Sequence, residues 1–463
     1  MKRIFIVIFV LITLRAMSAG ASLTLEEEKT IGQEFYENLE RNKLLYHEPQ
    51  AETYINELGK LIVKSIPQSP FEFRFFIVRS SAINAFATPG GYVYLNLGLI
   101  NLVNNESELA GVLAHEVAHV TSRHIADIVE KSKKISAATL AAILTGIFLG
   151  GGDAAAAITG FSVATATTLN LKYSREHEEE ADRLGMYYLV SAGFDPASMP
   201  EFLKTMRQYE FYSSNIPSYF LTHPGTEERI RYLDSLLQTR YPKGGASDKL
   251  NKLKRIQTLL AFELKSPEQN LKSFQGRLSK DPDDVEALYG LALAQEKLGL
   301  SQEAVDNFLR ALRLSPDDKN ILEDLGITLF KRGNLEEAIR YLNKAVALDP
   351  TSTKAPFYLG KSYETLGNYQ KALEFYQLME KSKPDDENVF YGLASAYGKI
   401  GMMGDSHYYF GRYFKKKGKS EAASFHFQEA LKYLPPDSLK TKEIMKELQS
   451  EKGMKKEKKG TPR

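Results

Sequence analysis

No cysteine occurs in the chain, which excludes disulfides, cysteine-ligated zinc, iron–sulfur clusters, thiol nucleophiles and a lipid anchor on cysteine. Any metal must therefore be held by histidine, aspartate or glutamate. No charge of one sign prevails: 60 basic and 58 acidic side chains leave a formal +2, so nucleic acid is not expected as a partner. Apolar runs are short as well. Ile4–Leu14, and the arms Ile135–Gly150 and Ala154–Leu169, all fall below the roughly 20 residues that span a bilayer as a helix. What is present is ordinary globular material, 43% hydrophobic and 25% charged over 463 residues, enough for more than one domain.

Lys2 and Arg3 precede the first apolar run, and Ala19-Gly20-Ala21 offers a small-x-small cleavage site. This order predicts a secretory signal over residues 1–21, cleaved near Ala21, and export with the periplasm as the expected destination. The apolar arms within 135–170 are separated by Gly150-Gly151-Gly152-Asp153. They predict a helical hairpin that packs on its own domain, covers a cleft or dips into a membrane, the last implying a peripheral membrane contact.

The second half repeats itself. Pro282, Pro316, Pro350 and Pro384 recur every 34 residues, as do Gly299, Gly333, Gly367 and Gly401, and Ala304, Ala338 and Ala372. A helix, a glycine turn, a second helix and a closing proline at this period match the tetratricopeptide (TPR) pattern, expected over residues 266–437. A helix from Ser420 to Leu434 is expected to cap the stack. The basic tail, 438–463, reads as a disordered end, and 246–265 as a linker or degenerate helix. Arrays of this kind present a groove to a helix or an extended peptide rather than doing chemistry.

The chemistry lies upstream. His115-Glu116-Val117-Ala118-His119 sits in a helical stretch beginning near Glu106, with Asn104 or Asn105 as N-cap. Histidines at i and i+4 share a helix face, about 6 Å apart, so one ion can take a ring nitrogen from each. Glu116 can then act as general base on a water at that ion. The apolar neighbours Ala114, Val117, Ala118 and Val120 imply burial, so the polar residues need a reason to be there. A third ligand is required, and the segment Tyr173-Ser174-Arg175-Glu176-His177-Glu178-Glu179-Glu180-Ala181-Asp182 supplies several candidates. His124 reads as a helix-face residue without a metal role.

The order His-Glu-x-x-His, then Ser-Arg-x-x-Glu-x-x-Ala-Asp, resembles the HtpX/BepA/CAAX-endopeptidase family of zinc metallopeptidases. The resemblance implies one Zn2+ per chain on His115, His119 and Glu178, with Asp182 hydrogen-bonding a ligand histidine. Glu176, Glu179 and Glu180 are left as exposed residues, and His177 outside the metal site. The segment from Asn84 to Leu95, with its Pro89-Gly90-Gly91 turn, resembles the family's strand region before the zinc helix. The turn followed by the β-favouring run Tyr92–Leu95 reads either as a substrate-binding edge at Asn84, Ala85, Gly91 and Tyr92, where a peptide adds as a strand, or as an internal hairpin without a substrate role. Thr222-His223-Pro224 resembles a segment of the BepA-like branch in which the histidine takes a fourth zinc position, which would make His223 a regulatory ligand. His223 and Arg229 are the candidates for steadying an oxyanion.

The expected fold is mostly α (α+β): a zincin-like metallopeptidase domain with a small sheet over 22–245, followed by an α-helical TPR solenoid. The expected function is an exported zinc metalloendopeptidase acting on unfolded or misassembled envelope proteins. Its repeats would dock substrates or outer-membrane assembly proteins. The competing expectation is a latched or inactive peptidase serving as a periplasmic chaperone or assembly adaptor.

Overall fold

The computed structural model describes residues 23–66, 68–131, 173–212, 218–241, 244–383 and 385–459. The expected signal peptide and the apolar segment 135–170 lie outside these residues. The chain divides into two units, Met1–Lys265 and Ser266–Arg463, and the architecture is mostly helical with one small sheet. Among the described residues no helix is long and apolar enough to cross a membrane.

In the first unit α1 (Leu25–Arg41) opens on a capping box: Thr24 Oγ1 accepts from the Glu27 N–H, and the Glu27 carboxylate accepts from the Thr24 N–H. α2 (Pro49–Val63) carries proline in its first turn, where a missing N–H is harmless. β1 (Arg74–Val78), β2 (Ala85–Thr88) and β3 (Tyr92–Asn96) form a sheet in the order β1-β3-β2, with β3 parallel to β1 and antiparallel to β2. Side chains alternate between its faces. On one face Phe86 and Tyr94 meet Phe35 of α1, with ring centroids 5.0–5.9 Å apart. On the other, Ala85, Ala87, Val93 and Leu95 join the larger core with α2 residues such as Tyr54 and Leu58.

β3 runs through α3 (Leu97–Leu102) into α4 (Glu106–Thr121). Asn105 caps α4, its Oδ1 accepting the Glu108 N–H at 2.9 Å. Every residue of α4 from Glu106 to Val120 is buried, so its polar side chains have no water to fall back on. α5 (His124–Lys131), α6 (Arg175–Ser191), α7 (Ser198–Tyr212), α8 (Ser218–Thr222) and α9 (Thr226–Thr239) complete its surroundings. α6 approaches α4 closely at Gly185, where a Cβ would lie 3.1 Å from the His115 backbone.

Residues 246–265, expected as a linker or degenerate helix, belong to the first unit. α10 (Leu253–Leu264) buries Leu253, Ile256 and Leu260 in the main core. The buried Glu106 carboxylate accepts backbone N–H groups from Lys249, Leu250, Lys252 and Leu253 at 2.7–3.3 Å. A single carboxylate 140 or so residues upstream thus organises the segment, a long-range contact that local composition does not reveal.

The second unit is an array of helices: α11 (Pro267–Leu278), α12 (Val285–Lys297), α13 (Ser301–Leu314), α14 (Lys319–Lys331), α15 (Leu335–Leu348), α16 (Lys354–Thr365), α17 (Tyr369–Ser382), α18 (Glu387–Lys399), α19 (Met403–Lys416), α20 (Ser420–Ala430) and α21 (Leu439–Lys459). Asp284, Asp318 and Asp386 cap α12, α14 and α18. Gly299, Gly333, Gly367 and Gly401 all stand at φ +77 to +84°, so the 34-residue glycine period marks left-handed helix ends. Ala304, Ala338 and Ala372 are fully buried, as close helix packing requires.

The tail expected to be disordered forms α21. Ile444 is fully buried, Tyr408 Oη donates to Glu443, and Lys440 pairs with Asp405 and lies over the Tyr409 ring at 4.8 Å. The charge run hides a narrow face, Thr441, Ile444 and Leu448, that packs on the array. Lys440 itself serves as a contact rather than as solvated charge.

Replacing Glu106 by alanine leaves four N–H groups without their acceptor. The expected cost to the first unit is about 3 kcal/mol, read as a lowered urea midpoint. A chain ending at residue 245 should lose cooperative unfolding that a chain ending at Lys265 retains.

Candidate metal centre

α4 presents His115 and His119 from one face, with their Nε2 atoms 3.0 Å apart. α6 brings Glu178, two turns of sequence logic away from Gly185, to the same point. Its Oε2 lies 3.5 Å from His115 Nε2 and its Oε1 3.6 Å from His119 Nε2. Ser174 starts α6 by accepting the His177 N–H, which sets the helix register that aims Glu178 and Asp182 inward and leaves Glu176, Glu179 and Glu180 on the outer side. His223 arrives from the loop after α8. Its Nδ1 lies 3.0 Å from Glu178 Oε1 and 3.4 Å from His115 Nε2. One donor atom from each of His115, His119, Glu178 and His223 can be chosen so that all lie within 4.8 Å of one another, and all four residues are buried.

These residues fit a cation on three counts. Bonds of about 2.0–2.1 Å in a tetrahedron place ligand atoms about 3.3–3.4 Å apart, and the separations above bracket that value. The converging nitrogens and oxygens cannot all donate to one another. Beside them both Glu116 oxygens and His223 Nε2 are buried without a hydrogen-bond partner among the described residues. Charge points the same way: the carboxylates of Glu116, Glu178 and Asp182 face one buried guanidinium, Arg229, and a divalent ion would bring the cluster to neutrality. Three imidazole nitrogens and a carboxylate oxygen, without thiolate, suit a divalent metal of the zinc type.

Asp182 sits where the resemblance implied. Its Oδ1 accepts from His115 Nδ1 at 3.0 Å, fixing the tautomer that leaves Nε2 free for a metal. Arg229, expected as a candidate oxyanion donor, is otherwise engaged. Its Nε and Nη2 fork onto Asp182 at 2.8 and 2.7 Å, and its Nη1 pairs with Glu178 Oε2 at 2.7 Å. Burial works against the charges of Asp182 and Glu178, but Arg229 outweighs it, assisted by His115 and, at Glu178, by His223. Both carboxyls are held below their ordinary range. Burial raises Glu116, the direction of a group that can hold a proton. Burial and the neighbouring His115 push His119 far toward its neutral form.

The strand edge differs from expectation. β3 is the central strand, so Tyr92 pairs with both Arg74 and Thr88, and Gly91 accepts from the Arg74 N–H. Gly91 and Tyr92 therefore offer no free edge: the Pro-Gly-Gly turn folds β3 between its neighbours. Asn84 and Ala85 belong to the outer strand side. The Asn96 N–H donates to Asn84 O, so Asn84, Phe86 and Thr88 face β3 while Ala85 and Ala87 turn their backbone groups outward.

Other residues escaped the sequence reading. His124, expected on an outer helix face, is buried with its Nδ1 2.9 Å from His119 Nδ1. Tyr173 stacks on the His119 ring at 3.8 Å, and Tyr219 on the His223 ring at 4.4 Å. His177 stays outside the metal site, bonded to Asp127. The available signal for His124 was its place five residues beyond a ligand, just past a helix end.

Residues 49–237 match the model of Peptidase family M48, and residues 284–351 and 323–387 match tetratricopeptide repeat models. The chain is 39% identical over 214 residues to a putative beta-barrel assembly-enhancing protease of Vibrio cholerae, covering 46% of this chain and 44% of that one. It is 36% identical over 216 residues to the beta-barrel assembly-enhancing protease of Escherichia coli, with the same coverage. To the mitochondrial metalloendopeptidase OMA1 of Schizosaccharomyces pombe it is 28% identical over 235 residues, 49% of this chain and 66% of that one. It thus spans less than half the length of the two bacterial relatives. Among solved structures, the type IV pilus biogenesis factor PilW aligns at TM-score 0.33 and 25% identity over 42% of this chain and 99% of its own.

Replacing Arg229 by methionine leaves Asp182 and Glu178 buried without their counter-ion. The expected loss is about 3–5 kcal/mol in the first unit, partly restored by added zinc, in thermal unfolding with and without the metal.

Proposed function

We propose that the chain, whose residues 49–237 match the model of Peptidase family M48, is a zinc metalloendopeptidase whose metal is held by His115, His119 and Glu178. The observation that carries this reading is the convergence of those donors with His223 around one buried point. Bound there, zinc would supply Lewis acidity toward a scissile carbonyl and a water. Glu116, next to the first ligand, with both oxygens buried and without a hydrogen bond among the described residues, is the general base. It takes the water's proton and returns it to the leaving amine. Asp182 and Arg229 keep His115 in its ligating tautomer and hold Glu178 ionised.

His223 gives the site a fourth protein ligand, and a catalytic site needs that position open. The ring must therefore withdraw before substrate enters, and His223 acts as a latch. Its helix α8 also touches the start of the outer strand, where Tyr219 N–H and Ser218 Oγ donate to Ile83 O. Withdrawal of α8 would free the metal position and the approach to Ala85 and Ala87 together. An extended peptide could then add to β2, read through its backbone more than its side chains. Such reading favours unfolded chains. The names of the bacterial relatives, beta-barrel assembly-enhancing proteases, support a role in beta-barrel assembly; on this reading the substrates are misassembled envelope proteins and the TPR array docks outer-membrane assembly proteins, in the periplasm. The closed four-ligand arrangement also supports a second reading, a permanently latched chain acting as a chaperone or assembly adaptor.

Casein hydrolysis, with metal content measured alongside, separates the two. The Glu116→Gln chain should keep about one zinc and lose activity by about 10²–10⁴-fold. His223→Ala should raise activity at least about tenfold, about 1.4 kcal/mol in barrier. A wild type and a His223→Ala chain that both bind zinc and never cleave would favour the adaptor reading.

A further inference from the structure

The turn between α4 and α5 brings a second imidazole behind the ligand His119. His119 directs Nε2 into the ligand cluster, 3.0 Å from His115 Nε2 and 3.6 Å from Glu178 Oε1. If that nitrogen keeps its lone pair for a cation, the proton of a neutral ring resides on Nδ1. Nδ1 lies 2.9 Å from His124 Nδ1, which must then accept. His124 in turn carries its proton on Nε2, 3.3 Å from the Glu180 carboxylate, an acceptor only. The tautomers are mutually consistent from the ligand to the surface, and each ring has one donor and one acceptor in use.

The backbone is shaped to permit this. Arg123, at the corner, stands at φ 55°, a left-handed conformation that is unfavourable for a residue bearing a side chain. Two contacts hold it there: its Nε donates to the buried Glu28 carboxylate at 2.6 Å, and its Nη2 donates to Leu23 O. His177 stacks on the outer face of His124 at 4.4 Å, 18° between planes, and is itself tied to Asp127 at 2.8 Å. The ring is thus fixed in place, tilt and tautomer.

We infer that His124 is a positioning residue for the metal site: it accepts the His119 Nδ1–H and passes the constraint to Glu180, so that His119 offers Nε2 to the metal. The inference rests on the proposed zinc site and gives His119 the counterpart of what Asp182 does for His115. It assigns a role to a histidine outside the His-Glu-x-x-His segment and to a glutamate on the outer side of α6.

The test uses the full chain and zinc in competition with a chelator of known affinity. Two substitutions separate hydrogen bonding from packing. His124→Phe keeps a ring against His177 but cannot accept, and should weaken zinc binding by about 10–100-fold. His124→Asn loses the ring but places an oxygen where Nδ1 stood, and should stay within about threefold of wild type by that acceptor logic. With Co2+ in place of zinc, the Asn chain should keep the wild-type visible absorption and the Phe chain should not. Glu180→Ala should weaken binding only about two- to threefold, since this carboxylate is 46% exposed and water can replace it. Retention in the Asn chain with loss in the Phe chain supports the inference, and any other pattern of the two overturns it. A wild-type chain that binds no zinc would overturn the proposed metal site as well, which distinguishes the two failures.

Discussion

The buried fork of Arg229 onto Asp182, with its third nitrogen on Glu178, is the contact on which the centre of the first unit depends. Carboxylates out of reach of water cost several kcal/mol each unless a cation answers them, and Arg229 is that cation from the protein side. The fork ties α9 to α6, and the Asp182–His115 bond carries the tie on to α4. Arg229 also stands in the first turn of α9, six residues beyond His223, so anchoring it limits where the His223 loop can lie. One guanidinium thereby sets ligand orientation, ligand charge and the place of the closing histidine.

Around this point the fold removes water on every side. α4 is buried along nearly its whole length because the sheet, α2, α6 and α7 all pack against it. Burial alone would make histidines and carboxylates a liability. Here each of these side chains has a partner behind it: Asp182 for His115, His124 for His119, and Arg229 for Glu178. His223 differs, since behind it stand a tyrosine ring, stacked at 4.4 Å, and the orphaned Glu116. On the proposed reading, a histidine without a carboxylate or guanidinium fixing its second nitrogen by a hydrogen bond is the one that can leave, which suits a latch.

Much of this was legible beforehand because the signals are local. Two histidines four apart on a helix, an acidic residue and an aspartate four apart on another, and glycines at a strict 34-residue period each follow from helix geometry. Local readings also misled. Gly91 and Tyr92 read as an edge because a turn followed by a β-rich run does not reveal which strand a third one will flank. The linker or degenerate helix at 246–265 and the disordered tail at 438–463 were read from composition. Glu106 and the narrow face of Ile444 decided otherwise through contacts with residues far away in the chain or hidden by charge.

The sequence by itself determined the helix that carries His115 and His119, the repeat that builds the second unit, and the residue types able to hold a metal, because periodicity and capping act within a few residues. Only the tertiary structure decided that Glu178 and His223 reach the same point as His115 and His119, that Arg229 is engaged by two carboxylates, and that His124 stands behind a ligand. Those outcomes depend on where helices cross, on a glycine that lets α6 approach His115, and on a left-handed turn at Arg123. The energies that select them come from burial and from charge compensation between residues 47 to 95 positions apart, a range over which no local pattern carries information.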